Sequence, residues 1–144
     1  MNSSYLHFLI NAIPVLGTLS GLILLGYGMV VSSRRYDRTA YLVFMISTIG
    51  TVLTYISGFW ILDAIESPSS SMIEAINLHK YIAQGAMASM IILGLANLYA
   101  YRISSKGHKV SSTLNYVLLG LAFVSLTINI SASIQGANVH FTVN

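Results

Sequence analysis

Imidazole is the side chain in this sequence with the widest chemical reach, and its placement is uneven. His7 opens the first apolar run, His79 precedes the third and His140 follows the end of the fourth. The fourth histidine, His108, lies among basic residues and reads as a solvated or headgroup-facing side chain. Neutral imidazole ligates iron, copper and zinc and exchanges protons near neutral pH. Cysteine is absent, which excludes disulfides, thiolate metal sites, Cys-ligated iron–sulfur clusters and covalent c-type haem. Any metal or haem is therefore left to His, Met, Tyr, Asn or carboxylates.

Helical spacing gives the histidines company. His7, Asn11, Pro14, Thr18 and Gly21 share one helical face, as do Ser125, Asn129, Ser133, Gly136 and His140. Ser47, Thr51, Thr54 or Tyr55, and Gly58 form a third polar-and-small stripe, while Ala83, Ala86 and Met90 continue the face of His79. Two cofactor arrangements follow. In the first, His7 and His79 face each other across the core and clasp haem b. Gly58, Ala83, Gly85 and Ala86 make room for the porphyrin, and His140 is a propionate partner or a bystander. In the second, His7, His79 and His140 converge on one copper or zinc ion, supported by Asn11 or Asn138. The packing alternative binds nothing: small and weakly polar residues let transmembrane helices approach closely, and Gly17, Thr18, Gly21 and Gly28 are expected to serve that purpose. Pro14 then marks a kink, and Tyr5, Tyr41, Trp60, Tyr81, Tyr99, Tyr101 and Phe141 an aromatic belt.

The elements that carry these residues are transmembrane helices. The 144 residues are 55% hydrophobic and 8% charged, with a mean hydropathy of +0.73; soluble domains carry roughly 25% charged residues. Four stretches, at about 6–31, 41–62, 81–101 and 110–139, contain no Asp, Glu, Lys or Arg, and each reaches the roughly 20 residues that cross a bilayer. The fold class is thus an all-α, integral membrane four-helix bundle in a single domain. Short links favour up-down-up-down order, and residues 72–80 are expected to form a short interfacial helix. Arg34, Arg35, Arg38, Arg102, Lys106 and Lys109 gather in two links, which the positive-inside rule places in the cytoplasm of a cell whose plasma membrane the chain spans. Both termini and the middle link then lie outside, together with three histidines. On this reading the pI near 9.3 reports topology, and nucleic acid is not a partner. The first segment, with no basic leader region, reads as a retained helix.

Several short motifs resemble a family of uncharacterised prokaryotic four-helix membrane proteins. Residues 5–18, with His7, Asn11, Pro14 and Gly17, resemble that family's opening helix. Tyr55-Ile56-Ser57-Gly58 at the end of the second helix, His79 opening the third, and Gly136-Ala137-Asn138-Val139-His140 after the fourth are similar to its pattern. The chain departs from it at Tyr5 and Ala12, where the family carries further histidines, and at residues 59–62, where it carries acids. The resemblance implies a redox-associated membrane subunit.

Two functions are therefore expected to compete. One is a subunit of a redox or respiratory-type complex, not catalytic alone, passing electrons between a quinone or a membrane enzyme and an external carrier. The other is a cofactor-free accessory subunit bracing larger membrane-protein partners. Proton-coupled transport is disfavoured because no span holds a carboxylate, and no nucleophile motif supports hydrolysis.

Overall fold

The computed structural model describes the backbone of residues 3–62 and 69–143, and the side chains of residues 10–58 and 69–139. It contains four helices, α1 (Ser3–Val30), α2 (Arg34–Leu62), α3 (Ser70–Ser105) and α4 (Ser112–Val143). All four are long and apolar enough to cross a membrane, which makes the chain a multi-pass helical bundle. Sequential helices are neighbours, and α1 packs on α4 to close the ring; α1 lies diagonal to α3, and α2 to α4. This is the up-down-up-down arrangement.

The helices outrun the apolar stretches. α2 begins at Arg34 rather than near residue 41, and α3 begins at Ser70 rather than near 81. Residues 72–80 are thus the first turns of α3 and not a separate interfacial helix. Apolar runs mark the hydrocarbon slab, whereas helical hydrogen bonding continues into the interface until a cap stops it. At α3 the cap is Ser69, whose hydroxyl accepts the Met72 N–H at 3.3 Å. With 36 residues α3 is about 54 Å long, against a hydrocarbon core of about 30 Å.

Burial is inverted relative to a soluble protein. Thr18, Ser47, Thr51, Asn97, Asn115, Ser125 and Asn129 are buried, while Leu16, Ile23, Ile46, Ile49, Leu95, Phe123 and Ile134 point outward. The exterior is apolar, as lipid as solvent favours, and the interior sets these polar side chains among an apolar core that includes Leu25, Phe44, Met90, Leu93 and Leu118. Ser47 and Thr51 satisfy their hydroxyls on carbonyls of their own helix, donating to Val43 at 2.8 Å and to Ser47 at 3.0 Å.

Small residues set the seams between helices. Between α1 and α2, Gly17 receives the Ser47 side chain, Gly21 the Phe44 ring and Gly50 the Ile13 side chain. Between α2 and α3, Gly94 receives Thr48, whose hydroxyl donates to the Met90 carbonyl at 3.0 Å. Pro14 sits inside α1 and cannot donate to the Ile10 carbonyl one turn earlier. Thr54 of α2 donates to that carbonyl instead, at 3.3 Å, as membrane proteins require of backbone groups freed by proline.

The two basic links meet at one end, called here the basic end. Arg34 donates to the Gly107 carbonyl at 3.0 Å, and Arg38 donates to the Tyr101 hydroxyl at 3.2 Å with its guanidinium 5.0 Å from the ring centroid. Gly107 has φ +81°, the left-handed conformation that ends α3 and that a side chain would oppose. Tyr41 is not part of an aromatic belt. It is fully buried, and its hydroxyl donates to Asn115 Oδ1 at 2.6 Å across the α2–α4 diagonal. Tyr81 and Tyr99 are exposed as a belt requires; Tyr5, Trp60 and Phe141 lie outside the described side chains.

Candidate functional site

At the opposite end, called the histidine end, the four helices part around a cavity of about 180 Å³. α1 contributes Asn11 and Pro14, and α2 contributes Thr51, Thr54, Tyr55 and Gly58. α3 adds His79, Lys80, Ala83, Gln84 and Ala86, and α4 adds Asn129 and Ala132. The stripes read from the sequence therefore converge on one space. The small residues leave it open, and the polar ones line it. Ser133 ties α4 to α1 by donating to Asn11 Oδ1 at 3.4 Å. Asn129 spends its amide on the Ser125 carbonyl at 2.8 Å.

His79 is the group in this cavity with latent chemistry. Its ring lies flat against α4, where Gly136 has no side chain: a Cβ there would stand 3.0 Å from Cε1. The ring donates a hydrogen bond to the Ala132 carbonyl, one turn along the same face. Nδ1 is buried and has no hydrogen-bond partner. A buried imidazole nitrogen with no protein partner is the kind of atom that can ligate a metal ion.

The other expected residues fall out as follows. Asn11, Gly58, Ala83 and Ala86 line the cavity with His79. Gly85 does not; it is exposed and faces Ile128. Asn138 is exposed on α4 and is not among the lining residues. The side chains of His7 and His140 lie outside the described residues, but both positions are helical. Helical register puts His7 one turn beyond Asn11, and His140 one turn beyond the Gly136 that holds the His79 ring. Among the described residues no group of three His, Asp or Glu side chains is placed to hold a metal ion.

Three lining residues, Lys80, Gln84 and Ala132, belong to none of the expected stripes. Lys80 and Gln84 stand at the α3 wall; Lys80 counts only as a charge in a topology argument, and Gln84 interrupts no stripe. The cavity is also smaller than the roughly 300–1,000 Å³ that drug-sized ligands occupy, and a porphyrin is larger than most of those. A haem would have to spread the helices, whereas an ion or a few waters fit the space as it stands. Comparison with known proteins finds no matching family model, no matching curated protein and no matching solved structure.

Proposed function

We propose that this chain is a small subunit of a redox-type membrane complex that holds a copper or zinc ion at its histidine end. His79 supplies Nδ1, His7 and His140 complete the ligand set, and Asn11 supports it from α1. The observation that carries this reading is the buried Nδ1 of His79, free of any hydrogen-bond partner in a ring packed against Gly136. A lone pair in that state is stabilised by an ion or by a donor, and the neighbouring lining offers small residues where such a species would sit. Three imidazoles suit either copper or zinc. Copper would let the subunit exchange electrons with a quinone, a membrane enzyme or an external carrier, whereas zinc would brace the mouth of the bundle.

The positive-inside rule sets the orientation within this proposal. Six basic residues in the two links favour the cytoplasm, leaving the histidine end and both termini on the outer face of the plasma membrane. Haem b between His7 and His79 is the second reading. Its support is the diagonal placement of α1 and α3; the size of the cavity and the use of Nδ1, which sits close to the residue's own backbone, favour the smaller occupant. The resemblance to four-helix membrane proteins with outer-face histidines rests on its short motifs and points to the same end of the molecule.

The test is metal analysis and a reduced-minus-oxidised optical spectrum on the same detergent-purified sample. One copper or zinc per chain, lost in His79→Gln and kept in His108→Gln, is the expected result. A sharp reduced α-band that disappears in His79→Gln would instead establish the haem. Neither metal nor haem in protein purified without chelator would refute both and leave a bracing subunit.

A further inference from the structure

The basic end holds a second, larger opening that the histidine site does not use. α1 and α4 are the least closely packed neighbours in the ring, and at the basic end they diverge around a space of about 590 Å³. Its apolar wall is formed by Gly26, Met29 and Val30 of α1 with Tyr116 and Leu119 of α4, while Asp37 and Tyr41 of α2 and Asn115 of α4 give its inner side a polar wall. Its outer rim carries Arg34, His108 and Lys109. A Cβ at Gly26 would meet nothing within 4 Å, so the gap is real space rather than a tight glycine seam.

The polarity of the opening is graded in the sense of the bilayer itself. Towards the middle of the membrane the wall combines apolar side chains with the mutually bonded Tyr41 and Asn115, and exposed bases lie at the level where the helices leave it. The one carboxylate in the wall, Asp37, lies within electrostatic reach of Lys109 and leaves Arg34 and Lys109 together in excess by one charge. It takes a hydrogen bond from Asn115, and it buries Oδ1 in the notch at Gly28. Arg34 is held in place by its bond to the Gly107 carbonyl, which fixes one rim charge without neutralising it. The rim is therefore net positive above a lipid-accessible apolar slot.

We propose that this opening is a binding site for an anionic phospholipid, its phosphate at Arg34, His108 and Lys109 and one acyl chain in the slot between α1 and α4. Basic pockets between transmembrane helices recognise headgroups in this way. A free phosphate would use the rim but would leave the apolar slot empty. A bound chain fills the gap left by the looser α1–α4 seam and joins the end of α1 to the start of α4. This site is independent of the histidine end, and its loss leaves any metal content unchanged.

Native mass spectrometry of the full chain in detergent, titrated with short-chain phosphatidylglycerol, tests the assignment. One saturable lipid adduct per chain is expected. Lys109→Gln should weaken it about fivefold, the effect of removing one base near a lipid surface. Gly26→Leu fills the slot and should abolish the adduct, while Gly120→Leu, at another open position on α4, should leave it intact. No saturable adduct in the wild type, an adduct unaffected by Gly26→Leu, or displacement of the lipid by equimolar inorganic phosphate would each overturn the proposal. Because Gly26 has open space around it, its substitution is compatible with folding, and retained helicity by circular dichroism confirms that the loss of lipid is local.

Discussion

Replacing Tyr41 by Phe removes a single oxygen from the middle of the α2–α4 diagonal and leaves the ring in place. The hydroxyl donates to Asn115 Oδ1 at 2.6 Å, and the two residues are 0% and 4% exposed. Asn115 in turn bonds Asp37, so the three side chains form a relay from the core to the basic end. Without the hydroxyl, Asn115 Oδ1 is a buried acceptor with nothing to accept. In soluble proteins such an orphan costs about 1–3 kcal/mol. Interhelical hydrogen bonds in a membrane average about 0.6 kcal/mol and reach about 1.7, because the separated helices also find partners. The short distance and full burial place Tyr41→Phe towards the upper part of that range, at about 1–2 kcal/mol.

Asn115→Ala strips both ends of the relay, leaving the Tyr41 hydroxyl and the Asp37 carboxyl unsatisfied, and should cost about 2–3 kcal/mol on the same grounds. The double variant should cost no more than Asn115→Ala alone, giving a coupling of about 1 kcal/mol. Unfolding by sodium dodecyl sulfate in mixed micelles measures all three, with Tyr99→Phe as the control because Tyr99 is 61% exposed. A neutral Tyr41→Phe, or strict additivity in the double variant, would refute the claim that this bond crosses the bundle and matters to it.

Gly94→Ala should destabilise by about 1–3 kcal/mol in the same assay. Its Cβ would stand 2.6 Å from Thr48 Oγ1, and Thr48 is pinned by the Phe44 and Met90 carbonyls. Thr54→Val should cost about 1 kcal/mol because it abandons the Ile10 carbonyl. In a Pro14→Ala background the same change should be close to silent, since the restored N–H takes that carbonyl; equal costs in both backgrounds would rule the account out. Gly136→Val should push the His79 ring off α4 and lower metal content while leaving helicity unchanged, which metal analysis and circular dichroism separate. Gly107→Ala, at φ +81°, should cost about 1 kcal/mol and loosen the Arg34 contact without touching the histidine end.

The number of helices and their faces could be read from the sequence for definite reasons. Charge-free runs of about 20 residues have few fates other than spanning a bilayer. The spacing of Asn11 and Pro14, of Thr51 and Gly58, and of Asn129 and Gly136 does place these residues on inward faces. Helix ends were less legible, because hydropathy marks where lipid stops and not where backbone bonding does; α2 and α3 therefore start earlier than their apolar runs. Tyr41 was misjudged because depth and residue type were weighed without its face. Asp37, Tyr41, Phe44 and Ser47 recur at helical spacing, and that rhythm, extending a charged residue into the core, was the available signal. The opening between α1 and α4 had no sequence signature, since Gly26 resembles the packing glycines Gly17 and Gly21 until the neighbouring helix is located.

The division of labour along the bundle axis follows from what each level must satisfy. In the middle, every polar side chain competes with lipid-facing packing. Hydroxyls fold back on their own helices, the glycines receive neighbours, and Thr18 reaches across to the Met90 sulfur at 3.6 Å. Asn97 shows the limit of that arrangement: it donates to the Leu93 carbonyl at 2.8 Å, yet its Oδ1 is buried without a partner. Towards the ends water can reach the helices, and buried polar atoms cost less to hold apart from one another. There the bundle keeps a bare imidazole nitrogen at one end and a basic rim over an apolar slot at the other. These are features that packing does not require, and the two proposals assign each a ligand of different chemistry. Substitutions at one end should therefore be silent at the other: His79→Gln should leave phosphatidylglycerol binding unchanged, and Gly26→Leu should leave metal content unchanged. Cross-talk in either direction would mean that the middle of the bundle couples the two sites rather than merely separating them.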